Sequence, residues 1–305
     1  MTDITAKTGA GAATDNATKP MGTAANSPTG NGADLLALEQ LNIAFHTGGQ
    51  WRSIVRNINL RIGHGRVLTL LGESGSGKSV TLRSILGLLP QKTTRVSGRI
   101  MLNGRDVVAM NPAQQAQIRG RDVGFIFQEP MTALDPVFRV GDQIAEMLMK
   151  HKGINRKDAL AKVKDLFDLV QIPSAERRLR SYPSELSGGL RQRVMIAMAV
   201  SCEPKLLLAD EPTTALDATV QVQVLLLLRQ IQQQFGMSIL FVTHDLGVAA
   251  EIADDVAVMY HGEIIENGSA EKVLLRPEHE YTKLLTGCSV YGHYRQNTLG
   301  RQQPV

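Results

Sequence analysis

Gly72-Glu73-Ser74-Gly75-Ser76-Gly77-Lys78-Ser79 decides the reading of this chain. Gly72, Gly77, Lys78 and Ser79 occupy the four fixed positions of G-x-x-x-x-G-K-[ST]. The apolar run Val67 to Leu71 comes just before, and Val80 to Leu89, closed by Pro90, predicts a helix just after. Strand, glycine-rich loop and helix are the context in which this pattern cradles phosphate. Glycine admits backbone conformations closed to other residues, so successive N–H groups can turn toward phosphate oxygens. The helix N-terminus adds partial positive charge, which makes Val80 part of the expected nucleotide contact. Lys78 is expected to reach the β- and γ-phosphates, and the Ser79 hydroxyl to ligate Mg²⁺.

A second apolar run, Lys205 to Ala209, ends in Asp210-Glu211-Pro212. Uninterrupted apolar strands suit a parallel sheet covered on both faces. Acids at the C-terminal end of such a strand stand where open α/β sheets bind ligands. Asp210 is expected to hold Mg²⁺ and Glu211 to act as general base on the attacking water. A third run, Ser238 to Thr243, ends in His244. In a chain that already holds a nucleotide, His244 reads as a γ-phosphate contact that steadies the same water.

Together these residues resemble the ATP-binding-cassette (ABC) family, over about Leu38 to Leu285. The resemblance implies an α/β fold: a P-loop NTPase core with a mainly parallel central sheet, an N-terminal antiparallel β subdomain and an inserted α-helical lobe. It also implies ATP and Mg²⁺ as ligands. Gln128 matches the Q-loop glutamine, a sensor of Mg²⁺ and of the γ-phosphate. Leu186 to Gln192 matches the family signature, whose Ser187, Gly188 and Gly189 would contact ATP bound by a second cassette. Its fifth residue is Leu190 where the family usually has Gln. Asp217, in Thr214-Ala215-Leu216-Asp217, matches the D-loop at the dimer interface, and His244 the switch histidine. The family stacks an aromatic on adenine. Phe45 and Trp51 are the candidates, with Phe45 preferred.

The stretch Phe127 to Pro136 is similar to oligopeptide, dipeptide and nickel importer ATPases, as are Arg191 to Ala199 and Ala253 to Gly262. This resemblance implies two transmembrane permease subunits, a second and different ATPase chain, an external solute-binding protein and a place at the cytoplasmic face of the inner membrane. Short peptides are the expected cargo, with nickel as the alternative. The stretch Arg276 to Leu285 resembles the start of an extension that in many peptide-type members carries an iron–sulfur cluster. Such a cluster needs four thiolates, and the sequence has two cysteines, Cys202 and Cys288.

Residues 1–34 are rich in Thr, Ala, Gly and Asn and predict a disordered tail without a signal-peptide core. An ATPase domain is expected over 35–275, with the helical lobe at about 129–190, followed by a short extension over 276–305 whose end, from about Tyr291, reads as loosely ordered. In the lobe, Val140 to Leu148 and Ala159 to Val170 carry apolar residues at helical spacing. No apolar run approaches the roughly 20 residues of a membrane span. The net charge of +4, from 33 Lys+Arg against 29 Asp+Glu, argues neither for nor against nucleic acid or anionic lipid, and no nucleic-acid partner is expected. One signature, no sustained heptads and no zinc spacing argue against an ABC ATPase of DNA or ribosomes.

Overall fold

The computed structural model describes residues 34–129, 133–214 and 216–288. The expectations for the tail (Asp34 apart) and for Tyr291 to Val305 lie outside these residues, as do Pro130, Met131, Thr132 and Ala215.

Two sheets organise the described residues. Strands β1 (Leu36–Thr47), β2 (Gln50–Ile62), β4 (Thr94–Leu102) and β5 (Arg105–Asp106) form an antiparallel sheet in the order β2-β1-β4-β5. The six-stranded sheet combines β3 (Val67–Leu71), β6 (Val123–Ile126), β7 (Leu206–Asp210), β8 (Ser238–Thr243), β9 (Asp255–Tyr260) and β10 (Glu263–Ser269), in the order β10-β9-β3-β8-β7-β6. All its neighbouring pairs are parallel except β9 with β10. The strands β3, β7 and β8 are buried at every residue, which is why they read as unbroken apolar runs.

Helix α1 (Lys78–Ile85) follows the glycine-rich loop and is shorter than its sequence predicts. It stops because Gly87 takes a left-handed conformation at φ 61°. The freed carbonyls of Leu86 and Gly87 accept hydrogen bonds from the Arg119 guanidinium at 2.8 and 3.0 Å, just beyond α2 (Pro112–Ile118).

Between β6 and β7 the chain forms α3 (Val140–Lys152), α4 (Arg156–Leu169), the single turn α5 (Ala175–Arg178) and α6 (Gly188–Val200). Val140, Ile144 and Leu148 on α3 and Ala159, Val163 and Phe167 on α4 are fully buried at helical spacing, as the sequence pattern predicts. They share one core with α6, with α7 (Ala218–Phe235) and with the inner face of β7 and β8. The buried Arg193 of α6 links the elements, donating to the Val170 carbonyl after α4 at 2.8 Å and to Gln223 of α7 at 3.3 Å. A smaller core gathers Leu71, Leu246 and Val258 with α8 (Leu246–Ile252), α9 (Ala270–Leu275) and α10 (Glu280–Cys288).

In the strand order β7-β8-β3, Leu71 stands beside Thr243 and Asp210 beside Val242. The phosphate loop, the two acids and His244 therefore leave the sheet at neighbouring strand ends.

Candidate functional site

At those ends lies an open cleft of about 560 Å³. Gly72, Glu73, Ser74, Gly75, Gly77, Lys78, Ser79 and Val80 form one wall, and Gln128, Glu211 and His244 face it. Residues more than 170 positions apart in sequence, Gly72 and His244, thus meet in one cavity.

The loop keeps its shape through backbone that only glycine supplies cheaply. Gly77, at φ 111°, caps α1, and a side chain at Gly72 would run into the Met259 carbonyl. Lys78 is 4% exposed and donates to the carbonyls of Gly72 and Glu73 at 2.7 and 2.8 Å. Burial lowers its pKa, while Glu211, Asp210 and Glu73 act in the opposite sense. The Ser76 hydroxyl is buried in the loop with no hydrogen-bond partner among the described residues, so a donor stands ready beside the cradle.

Ser79 donates its hydroxyl to Asp210 at 2.9 Å. Burial pushes the Asp210 carboxyl up, and the hydrogen bond from Ser79 opposes that shift only in part. A hydroxyl and a carboxylate in contact are hard oxygen donors that fit Mg²⁺, which takes one or two protein ligands and completes its shell with phosphate and water. Among the described residues no group of three or more His, Cys, Asp and Glu forms a metal cage. The donor set therefore fits a cation carried in with phosphates.

Glu211 has a left-handed backbone at φ 46°, costly for a residue with a side chain. Its carboxylate is held from two sides: Thr214 donates to Oε2 at 3.1 Å, and Nδ1 of His244 lies 3.1 Å from the same oxygen. Its other oxygen stands 4.0 Å from the Lys78 ammonium. Behind it, the buried Gln192 of α6 donates to the Pro212 carbonyl at 2.6 Å. The sequence places Gln192 only at the end of the Leu186–Gln192 signature, because a glutamine inside a helix gives no sign of which strand end it meets.

The signature residues stand elsewhere. Ser187 caps α6, accepting from Leu190 N at 3.4 Å, and is exposed with Gly188, while Gly189 is half-buried. Asp217 is exposed and caps α7, accepting from Val220 N at 3.0 Å. None of these four lines the cleft. Phe45 does not line it either. It sits half-buried on β1 opposite Arg52 and Thr94, and Ile54 of β2 takes the place in the cleft wall. The β1–β2 pairing shifts register between Ile43 and Ala44, and such a shift changes which side chains face which way. Trp51 is engaged apart from the cleft, its ring 4.0 Å beneath the Arg95 guanidinium. Leu246 and Leu285 also line the cleft, and no motif announced either.

A phosphate cradle facing an Asp-Glu pair across parallel strand ends defines a P-loop nucleotide-binding protein. Residues 55–214 match the family profile described as ABC transporter, just over half of the chain, and the chain belongs to that family. It is 48% identical over 279 residues to the glutathione import ATP-binding protein GsiA of Salmonella typhi, an alignment covering 89% of this chain and 45% of that protein. The protein of the same name in Escherichia coli is 48% identical over 258 residues, 83% of this chain and 41% of the relative. The chain thus spans about half the length of the curated relatives it matches. A solved dimer of the ATP-binding cassette MJ0796, in a post-hydrolysis state with ADP and Pi, superposes with a TM-score of 0.69 at 25% identity, over 77% of this chain and 98% of that one.

Proposed function

We propose that this chain is the ATP-hydrolysing subunit of a binding-protein-dependent importer that takes up short peptides. The observation that carries the reading is the carboxylate of Glu211, fixed between Thr214 and His244 at the mouth of the phosphate loop. A carboxylate so placed can take the proton of a water attacking the γ-phosphorus in line, as the bond to the β-phosphate oxygen breaks and ADP leaves. Lys78 offsets the charge that develops on the phosphoryl oxygens. Mg²⁺ at Ser79 and Asp210, with Gln128 lining the same cleft, would neutralise phosphate charge when bound.

The cleft is open, and the chain's own Ser187 and Gly188 are exposed and do not line it. Both features support a pair of cassettes in which each closes the other's site. Such a pair would rest against two permease subunits at the cytoplasmic face of the membrane, with an external solute-binding protein. Among the described residues no helix is long and apolar enough to cross a membrane. The relatives named for glutathione import favour a tripeptide-sized cargo over nickel.

The test is uptake of labelled glutathione, dipeptides, oligopeptides and nickel in the native cell, wild type against Glu211→Gln. Loss of glutathione or peptide uptake alone supports the proposal. Loss of nickel uptake alone replaces the cargo, and unchanged uptake of all four overturns the importer reading.

A further inference from the structure

The last described helix reaches back to the nucleotide cleft. Leu285 of α10 is one of the residues lining that cleft, alongside Glu73 of the phosphate loop and Leu246 of α8. One turn earlier, Tyr281 packs its ring 4.1 Å from the Tyr260 ring at the end of β9. Its oxygen is buried with no hydrogen-bond partner among the described residues, and burial first, then the nearby Glu73 carboxylate, push the phenol up to about 12. Both side chains also pack on the apolar cluster that holds Leu71 and Leu246.

The helix is tied in place from its other end. The Glu266 carboxylate of β10 accepts from the backbone of Glu278 and His279 at 2.8 and 3.0 Å, and Lys272 of α9 pairs with Glu278 at 2.9 Å. The segment that enters α10 is thereby fixed to the sheet edge, and the face carrying Tyr281 and Leu285 is turned to the loop. Glu73 is no passive neighbour, since its carbonyl accepts from both Lys78 and Ser76 N at 2.8 and 3.2 Å. A group that presses on Glu73 acts on the lysine and on the loop's own turn.

We propose that α10 is a structural wall of the nucleotide cleft, in which Tyr281 positions the phosphate loop through Glu73 and Leu285 shields the side next to Leu246 and His244. The inference rests on the nucleotide-binding reading of the same cleft. It adds to that reading a segment beyond the ATPase core, and residues that act on nucleotide affinity from outside the motif set. Tyr281 is a positioning residue: it packs on the cluster that holds Leu71, where the loop begins, and not on the reacting atoms. Filling the cleft should order α10, and loosening α10 should weaken nucleotide binding while the chemical step keeps its rate.

The experiment follows nucleotide binding by the full chain in three variants, Tyr281→Ala, Leu285→Ala and the control Leu284→Ala, whose side chain is 64% exposed on the same helix. The probe is Mg-ATP, read as the rise in Tm on binding and as KM against kcat. Tyr281→Ala and Leu285→Ala should each weaken ATP binding about tenfold and raise KM with kcat kept within about twofold. Leu284→Ala should match wild type. A second measurement uses the unaltered chain: amide hydrogen exchange across 280–288 should slow on adding Mg-ATP.

The proposal falls if both variants fold and bind Mg-ATP as wild type does, or if exchange in α10 is the same with and without the nucleotide. Failure of the parent reading looks different, because wild type itself would then show no Mg-ATP shift. In that case the nucleotide assignment and this inference fall together.

Discussion

Nδ1 of His244 stands 3.1 Å from Oε2 of Glu211, and the same oxygen accepts the Thr214 hydroxyl at 3.1 Å. The two residues lie on successive strand ends, 33 positions apart. Two neighbours thus fix one carboxylate oxygen, and Oε1 remains on the Lys78 side. A carboxylate aimed in this way needs no rearrangement to meet a water in the cleft.

Replacing Glu211 by Gln keeps the shape and the contact to His244 but removes the proton acceptor. ATP hydrolysis should fall about 10²- to 10⁴-fold while Mg-ATP still binds. Phosphate release and size-exclusion chromatography check this, because the bound, unhydrolysed nucleotide should hold two chains together. Normal turnover with a monomeric elution would assign the base elsewhere.

Ser187 lies outside the cleft of its own chain, so Ser187→Ala should leave ATP binding nearly intact. Turnover should drop at least about tenfold if, as proposed, Ser187 acts on the ATP of a second cassette. The lost helix cap costs about 1 kcal/mol, which a melting curve measures separately. Equal losses in binding and turnover would place Ser187 in its own chain's site.

Gly72→Ala brings a methyl group against the Met259 carbonyl, with the Ser76 hydroxyl 3.1 Å away. The loop must shift off β9 or the strand must yield, at about 1–3 kcal/mol. A lower Tm together with loss of the Mg-ATP shift is expected. Retention of both would mean that the loop relaxes freely.

Asp254 carries the acid sensitivity of the phosphate-loop strand. Burial raises its pKa, but hydrogen bonds from Arg229 and from the Val67 backbone at 2.8 Å outweigh it and hold the carboxyl below the usual range. A depressed folded value means stability that is present above the ordinary carboxylate pKa and lost as pH falls through the folded one. Asp254→Asn should therefore lower Tm at neutral pH by roughly 3–6 °C, for about 1–2 kcal/mol. The gap from wild type should shrink below about pH 4. A gap independent of pH would trace the effect to packing.

The chemistry of this chain is local in its sequence. Gly72 to Ser79, Asp210-Glu211 and His244 each follow an apolar run, and a strand end in a parallel sheet is where such residues become functional. Burial on both faces made β3, β7 and β8 legible as unbroken runs, and the helical spacing of Val140 to Leu148 and of Ala159 to Val170 gave two helices. Tertiary structure alone decided three things. It moved Phe45 out of the cleft wall and placed Ile54 there, because strand register depends on pairing across β1 and β2, which residue order does not state. It ended α1 at Ile85, where Gly87 turns left-handed and Arg119, distant in sequence, is there to meet the freed carbonyls. It brought Tyr281 and Leu285 against the phosphate loop and Gln192 against Pro212. Apolar and amide side chains carry no label for a partner a long loop away, and only the packed chain pairs them.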